Sequence, residues 1–257
     1  MDLPGSNMIR LHRTGSGPAV VMVHCLGVDR HMWDFTSENL SPKFTILTYD
    51  LPGHGETQVP GKPYGIEHLS AQLAAALDQS RVARAHVAGI SLGGLVAQHF
   101  AATYADRVDR LVLIDTTARY TDELRGMWAQ RAAAARSAGV SSLTEDLLNI
   151  WFTPEFRAQN PPAVRYVRDR LARTSGEGYA LACEALAAAD LRPLAQKIAA
   201  STLVVCGDQD IPSFLDSARW LTQNIPRARL EWLSPARHAS VLEQPEGFLR
   251  LLREFLA

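Results

Sequence analysis

The segment from Ala85 to Tyr104 constrains this chain most. It reads A-H-V-A-G-I, then Ser91, then L-G-G-L-V-A-Q-H-F-A-A-T-Y. A strand-like apolar run enters Gly89-Ile90-Ser91-Leu92-Gly93, and a helix-favouring stretch leaves it. Strand and helix joined without a loop need a tight turn, and small flanking residues let the two backbones approach. The apex residue then takes a strained conformation. Its side chain stands above the C-terminal edge of the sheet, beside helix N–H groups that favour negative charge. Ser91 therefore reads as a presented nucleophile. The pentapeptide alone also fits a packing turn with no chemistry, so the argument needs partners.

The rest of the chain repeats the strand–helix alternation. Ala19–Val23, Phe44–Tyr49, His86–Ile90, Arg110–Ile114 and Thr202–Cys206 are short apolar runs suited to strands covered on both faces. Ile66, Leu69, Leu73 and Leu77 recur at helical spacing, and Phe248, Leu251, Leu252, Phe255 and Leu256 form a second stripe near the C-terminus. This pattern predicts an α/β fold with a mostly parallel central sheet flanked by helices. About ninety residues separate Ile114 from Thr202, far more than one crossover needs. The intervening sequence is helix-like over Trp128–Ala138, Leu143–Trp151, Pro162–Arg173 and Gly178–Ala189. It is expected to form a helical cap over residues 119–193, with the core built from 1–118 and 194–257.

A serine hydroxyl needs a base, and the base needs a carboxylate to orient it. His238 follows a strand-like run, Arg229–Leu233, and precedes the C-terminal helix, so its loop can reach the elbow. Asp210 ends Gly207-Asp208-Gln209-Asp210, just past the strand Thr202–Cys206. Asp208 beside it and Asp115 at the end of the preceding strand are alternative acids. His24, His54 and His86 read as structural, whereas His12, His31, His68 and His99 carry no signal. Backbone N–H groups should stabilise the oxyanion: Leu92, after the nucleophile, and Leu26, in His24-Cys25-Leu26-Gly27 after the first buried strand. Cys25 reads as a small buried filler.

These residues carry a resemblance. H-C-L-G at 24–27, Y-D-L-P-G-H-G-E-T at 49–57, G-I-S-L-G-G at 89–94, G-D-Q-D at 207–210 and R-H-A-S-V-L-E-Q-P-E at 237–246 resemble the α/β-hydrolase superfamily. Within it the chain is most similar to 3-oxoadipate enol-lactonases. The cap residues behind that likeness include Trp128 with Arg131, Trp151-Phe152-Thr153-Pro154, Glu177-Gly178-Tyr179-Ala180 and Asp190-Leu191-Arg192. The resemblance implies the α/β-hydrolase fold, with Ser91 as nucleophile, Asp210 as acid, His238 as base, and Leu26 and Leu92 as the oxyanion hole. The implied substrate is a small-molecule ester or lactone, with 3-oxoadipate enol-lactone of aromatic catabolism foremost. Three places depart from the family pattern: His24-Cys25 replaces a histidine–glycine pair, Ile211-Pro212-Ser213 lacks a small polar pattern, and Arg237-His238-Ala239-Ser240 is unusual.

If the substrate carries a carboxylate, the pocket needs a cation. Arg131 is the candidate, with Arg119 and Arg192 as alternatives, and Trp128 and Trp151 are expected to line the pocket. The same residues also suit a general carboxylesterase, a carbon–carbon bond hydrolase, an amidase or perhydrolase, or a ligand sensor that retains the triad. With Ser91 at the apex rather than a carboxylate, haloalkane dehalogenase chemistry is disfavoured.

Composition narrows the partners. The 257 residues carry a formal net charge of −1, which offers no footprint for nucleic acid. No apolar run approaches the ~20 residues that span a bilayer. Met1–Ser16 lacks the apolar core of a secretory leader, so a cytoplasmic protein is expected. Three scattered cysteines suit neither a disulfide framework nor a zinc site, and neither metal nor organic cofactor is called for.

Overall fold

The computed structural model describes residues 9–257. The expectation drawn from Met1–Ser16 therefore lies outside the described residues as far as residue 8. Strands β1 (His12–Thr14), β2 (Ala19–Val23), β3 (Thr45–Tyr49), β4 (Ala85–Ile90), β5 (Val108–Ile114), β6 (Ser201–Gly207) and β7 (Ala228–Leu233) form one sheet. Its order is β1-β3-β2-β4-β5-β6-β7, and β1 alone among the described strands runs antiparallel. This is the α/β-hydrolase fold. The central strand β4 is buried at every residue, whereas the edge strand β1 is largely exposed and β7 mostly half-buried. Continuous apolar runs mark the middle of the sheet for that reason, and mixed ones its margins. β1 escapes the sequence pattern because three half-exposed residues leave no apolar signature.

Helices α1 (Asp34–Leu40), α2 (Ile66–Gln79) and α3 (Leu92–Thr103) cover the first half of the sheet. Ile66, Leu69, Leu73 and Leu77 are the buried stripe of α2, as their spacing predicts. Between β5 and β6 the chain is helical: α4 (Asp122–Ala138), α5 (Thr144–Trp151), α6 (Pro154–Ala158), α7 (Pro162–Arg173) and α8 (Gly176–Ala188). An antiparallel bridge between Arg119 and Asp190 ties the two ends of this excursion. Helix α4 starts six residues before the expected Trp128 because its first turn is polar. The Thr121 side chain caps it, accepting from Leu124 N, and Asp122 and Glu123 complement the helix dipole. Ser175 likewise starts α8 earlier than periodicity suggests. The chain closes with α9 (Pro212–Asn224), α10 (Ser240–Glu243) and α11 (Pro245–Leu256). Helix α11 buries Phe248, Leu249, Leu252, Phe255 and Leu256, while Leu251, expected in that stripe, is half-buried. Among the described residues no helix is long and apolar enough to cross a membrane.

The strand order reverses direction at β2 and β4, so the loops after β2 and β4 diverge and leave a crevice at the strands' C-terminal ends. Ser91, Leu26, Asp115, Asp210 and His238 all follow strand ends at this edge.

Candidate active site

Ser91 sits between β4 and α3 at φ 53°, ψ −113°, a conformation that costs a non-glycine residue of order 1–3 kcal/mol. Its surroundings impose it. A Cβ on Gly89 would lie 2.1 Å from the Gly93 carbonyl oxygen, and one on Gly93 2.3 Å from that of Val23. Ser91 N donates to Ile114 O at 2.9 Å, and Thr116 Oγ1 donates to Ser91 O at 2.8 Å. Two bonds to the β5 end thus brace the turn.

His238 Nε2 lies 3.1 Å from Ser91 Oγ, and its Nδ1 lies 2.8 Å from Asp210 Oδ2. A carboxylate only accepts, so Nδ1 carries the proton and Nε2 is left to accept from the serine hydroxyl. All three residues are less than a tenth exposed. Burial pulls the His238 pKa down, but the charge and hydrogen bond of Asp210, with Asp115 behind it, more than offset this and raise it above its ordinary value. Asp210 Oδ1 accepts from Ile211 N at 2.7 Å, which fixes the carboxylate.

The two alternative acids stand elsewhere. Asp208 accepts from Ala236 N at 3.2 Å and turns away from the imidazole. Asp115 is fully buried and joins two loops: Oδ1 accepts from Gly207 N at 2.9 Å, and Oδ2 accepts from Ser240 N at 3.1 Å and Ser240 Oγ at 2.6 Å. Burial first, then the Asp210 charge, push its carboxyl up to about 7. Asp115, Cys206 and Asp210 offer donor atoms within 4.8 Å of one another, but both carboxylates already accept N–H or O–H donors on each oxygen.

The His238 loop is fastened to the helical excursion. Ala239 N donates to Trp151 O at 3.0 Å. The buried Glu243 accepts from Arg237 N and from Thr153 N, each at 2.9 Å, and from Thr153 Oγ1. These bonds set Trp151 over the site, with its ring 6.5 Å from that of His238. On the other side, Leu26 lies in the turn after β2. His24 accepts from Leu51 N at Nε2 (2.8 Å), so its Nδ1 donates to Cys25 O (2.7 Å); burial lowers its pKa and keeps it neutral. Gly27 has φ +82°, and a Cβ there would strike Leu171 at 2.7 Å, so helices α7 and α8 lie directly on this turn. Leu92 opens α3, which leaves its N–H without an intrahelical acceptor.

The three arginines separate cleanly. Arg119 pairs with Asp122 at 2.6 Å and Asp190 at 3.7 Å, and Arg192 pairs with Asp190 at 2.6 Å. Arg131 has no carboxylate partner among the described residues. Its guanidinium lies 5.0 Å from the Trp128 ring, and its charge is felt at His238, Tyr120, Tyr179 and Cys183. It also borders a cleft of about 530 Å³ between α4 and α5. Trp128 is buried, and its indole N–H has no partner.

A profile described as "alpha/beta hydrolase fold" matches residues 18–245. The chain belongs to the α/β-hydrolase family. Among its relatives, 3-oxoadipate enol-lactonase 2 of Acinetobacter baylyi is 34% identical, over 90% of this chain and 85% of that protein. A pimeloyl-[acyl-carrier protein] methyl ester esterase of Chromobacterium violaceum is 32% identical, over 94% and 95%. The crystal structure of the enol-lactonase from Burkholderia xenovorans LB400 superposes with a TM-score of 0.92, at 36% identity and with 96% of each chain covered.

In this α/β-hydrolase, further aromatic residues pack around His238, Ser91 and Arg131. Phe214, in the first turn of α9, packs against His238 with ring centroids 4.3 Å apart and the planes tilted by 49°. Tyr120 packs edge-on to both Trp128 (5.2 Å) and Phe214 (6.1 Å). Tyr179 is wholly buried beside Arg131. No spacing rule gives Tyr120 or Phe214 a site role, because one lies in an irregular connection and the other in a first helical turn.

Proposed function

We propose that this α/β-hydrolase is a serine hydrolase that opens an ester or lactone of a small carboxylic acid through an acyl-enzyme, with 3-oxoadipate enol-lactone as its substrate. The observation that carries the chemistry is a single buried imidazole in hydrogen-bond contact with Ser91 on one side and Asp210 on the other. Ser91 Oγ attacks the carbonyl carbon as its proton passes to His238 Nε2. The carbonyl electrons move to oxygen, and the N–H groups of Leu26 and Leu92 stabilise that oxyanion. Asp210 holds the tautomer and offsets the imidazolium charge. Collapse breaks the bond to the ring oxygen, which leaves as an enolate tethered to the acyl group. The enolate takes the proton from His238 and becomes a ketone. Water then loses a proton to His238, attacks the acyl-enzyme and releases the acid, and the imidazolium returns the proton to Ser91.

The surroundings of Arg131 support the acidic substrate. A guanidinium with no carboxylate partner among the described residues, lying against the Trp128 ring whose buried indole N–H also lacks one there, suits a ligand carboxylate. Residues 119–193 act as the cap, which supplies Trp128, Arg131 and Trp151. The deciding comparison is the purified protein on enol-lactone and on p-nitrophenyl acetate. A kcat/KM far higher for the lactone is expected; similar low values on both would make it a broad esterase.

Arg131→Ala is expected to raise KM for the lactone by roughly 10- to 100-fold, the worth of one charge-assisted contact, and to leave p-nitrophenyl acetate hydrolysis within a few-fold. An equal loss on both substrates would remove Arg131 from substrate binding.

The pH profile follows from His238. The base must be neutral, and its pKa lies above the ordinary 6.5. On aryl acetates kcat/KM should rise about tenfold per pH unit below that raised pKa and level off above it. Because Asp115 titrates in the same range, the inflection belongs to the set of groups. An inflection below 6.5 would contradict this account.

A further inference from the structure

We propose that Tyr120 is a further catalytic residue, whose buried hydroxyl donates a hydrogen bond to the leaving-group oxygen as the tetrahedral intermediate collapses. The proposal rests on the serine-hydrolase reading above and adds a donor on the side of the reaction that the Leu26 and Leu92 amides do not serve.

Tyr120 lies a few residues beyond the end of β5 and is 2% exposed. Its ring is wedged edge-on between Trp128 and Phe214, and Phe214 itself packs on the base. The phenol can therefore neither swing out to water nor turn far in place. Its hydroxyl makes no well-formed hydrogen bond among the described residues, and the side chain that comes within bonding reach of it is Ser91. Buried hydroxyls are nearly always satisfied, and a phenylalanine would fill the same space without an unmet donor. The neighbours that act on this hydroxyl are Ser91, the Arg131 charge, Cys183 and Asp210. Ser91 Oγ is already engaged with His238 Nε2. An oxygen that becomes negative beside Ser91 during turnover is a stronger acceptor for this donor than the neutral serine hydroxyl. Burial drives the phenol pKa far up, so Tyr120 stays protonated and acts as a donor, not as a base.

In collapse, the bond between the carbonyl carbon and the leaving oxygen breaks, and both its electrons go to that oxygen. The proton still comes from the His238 imidazolium. Tyr120 keeps its own proton throughout and lowers the energy of the departing enolate or phenolate. Its contribution grows as the leaving group becomes more basic, because a basic oxygen carries more charge at the transition state. A packing role carries no such dependence.

The test is Tyr120→Phe on a series of substituted phenyl acetates, from p-nitrophenyl to unsubstituted phenyl, with kcat/KM plotted against the pKa of the leaving phenol. The variant should lose about 100-fold on phenyl acetate but only a few-fold on p-nitrophenyl acetate, giving a steeper slope. Its melting temperature should be unchanged or higher, since an unmet polar group is gone. A uniform loss across the series, or no loss, overturns the proposal. Ser91→Ala in the same assay separates the two claims: full activity there sinks the serine mechanism, whereas an inactive Ser91→Ala with an unchanged Tyr120→Phe slope sinks only the role of Tyr120.

Discussion

Ser91→Ala should lower kcat on p-nitrophenyl acetate by about 10⁶-fold while the protein stays folded. Loss of an activated nucleophile has this size in triad enzymes, and what survives is the stabilisation by the oxyanion donors and by binding. The fold tolerates the change because the turn is imposed by the packing of Gly89 and Gly93 and by the backbone bonds to Ile114 and Thr116, none of which uses the serine hydroxyl. No other nucleophile stands ready. Cys25 is the one thiol near the oxyanion turn; it is buried, and burial pushes its pKa far above the working range, so thiolate is absent at neutral pH. The measurement is single-turnover acylation together with steady-state kcat, with a thermal melt as the folding control. A residual rate within 100-fold of the parent, in a protein with an unaltered melt, would show that the acyl group is carried elsewhere.

What was legible in the sequence followed burial and backbone geometry. β2, β4, β5 and β6 are continuous apolar runs because both their faces are covered, and the Ser91 turn is visible because only glycine fits beside it. Asp210 and His238 stand out because each follows a strand that ends at the same edge of the sheet. The substrate side is different. Tyr120 reaches Ser91 from a loop and Phe214 reaches His238 from a first helical turn, where side-chain direction depends on tertiary packing and leaves no periodic trace. The candidates Arg119, Arg131 and Arg192 differ in which carboxylates lie nearby, and Asp190 takes up two of the three through the chain reversal that brings residues 119 and 190 together. Such pairings are set by the fold and cannot be counted off along the chain.

Asp210→Asn should cut kcat by about 10⁴-fold near neutral pH, the size seen when a triad carboxylate is made an amide. The carboxylate fixes the proton on Nδ1 and leaves Nε2 free to accept from Ser91. An amide nitrogen facing Nδ1 would donate instead, and the imidazole would then carry its proton on Nε2, the wrong side for a base. Asp115 is the one residue that could blunt this loss, since it is a buried carboxylate whose charge reaches His238. Its oxygens, however, are taken by Gly207 N and by the amide and hydroxyl of Ser240, so it holds the loops that carry Asp210 and His238 and makes no hydrogen bond to the imidazole. Asp115→Asn should therefore cost only about tenfold. It should also move the kcat/KM inflection to lower pH, because a nearby negative charge that favours the imidazolium is gone. If the two variants exchange magnitudes, the orienting acid is Asp115, and the 2.8 Å contact between Asp210 and His238 does not describe the working enzyme. If both lose 10⁴-fold, the two carboxylates act as one unit, and a double variant should then be no worse than either single one.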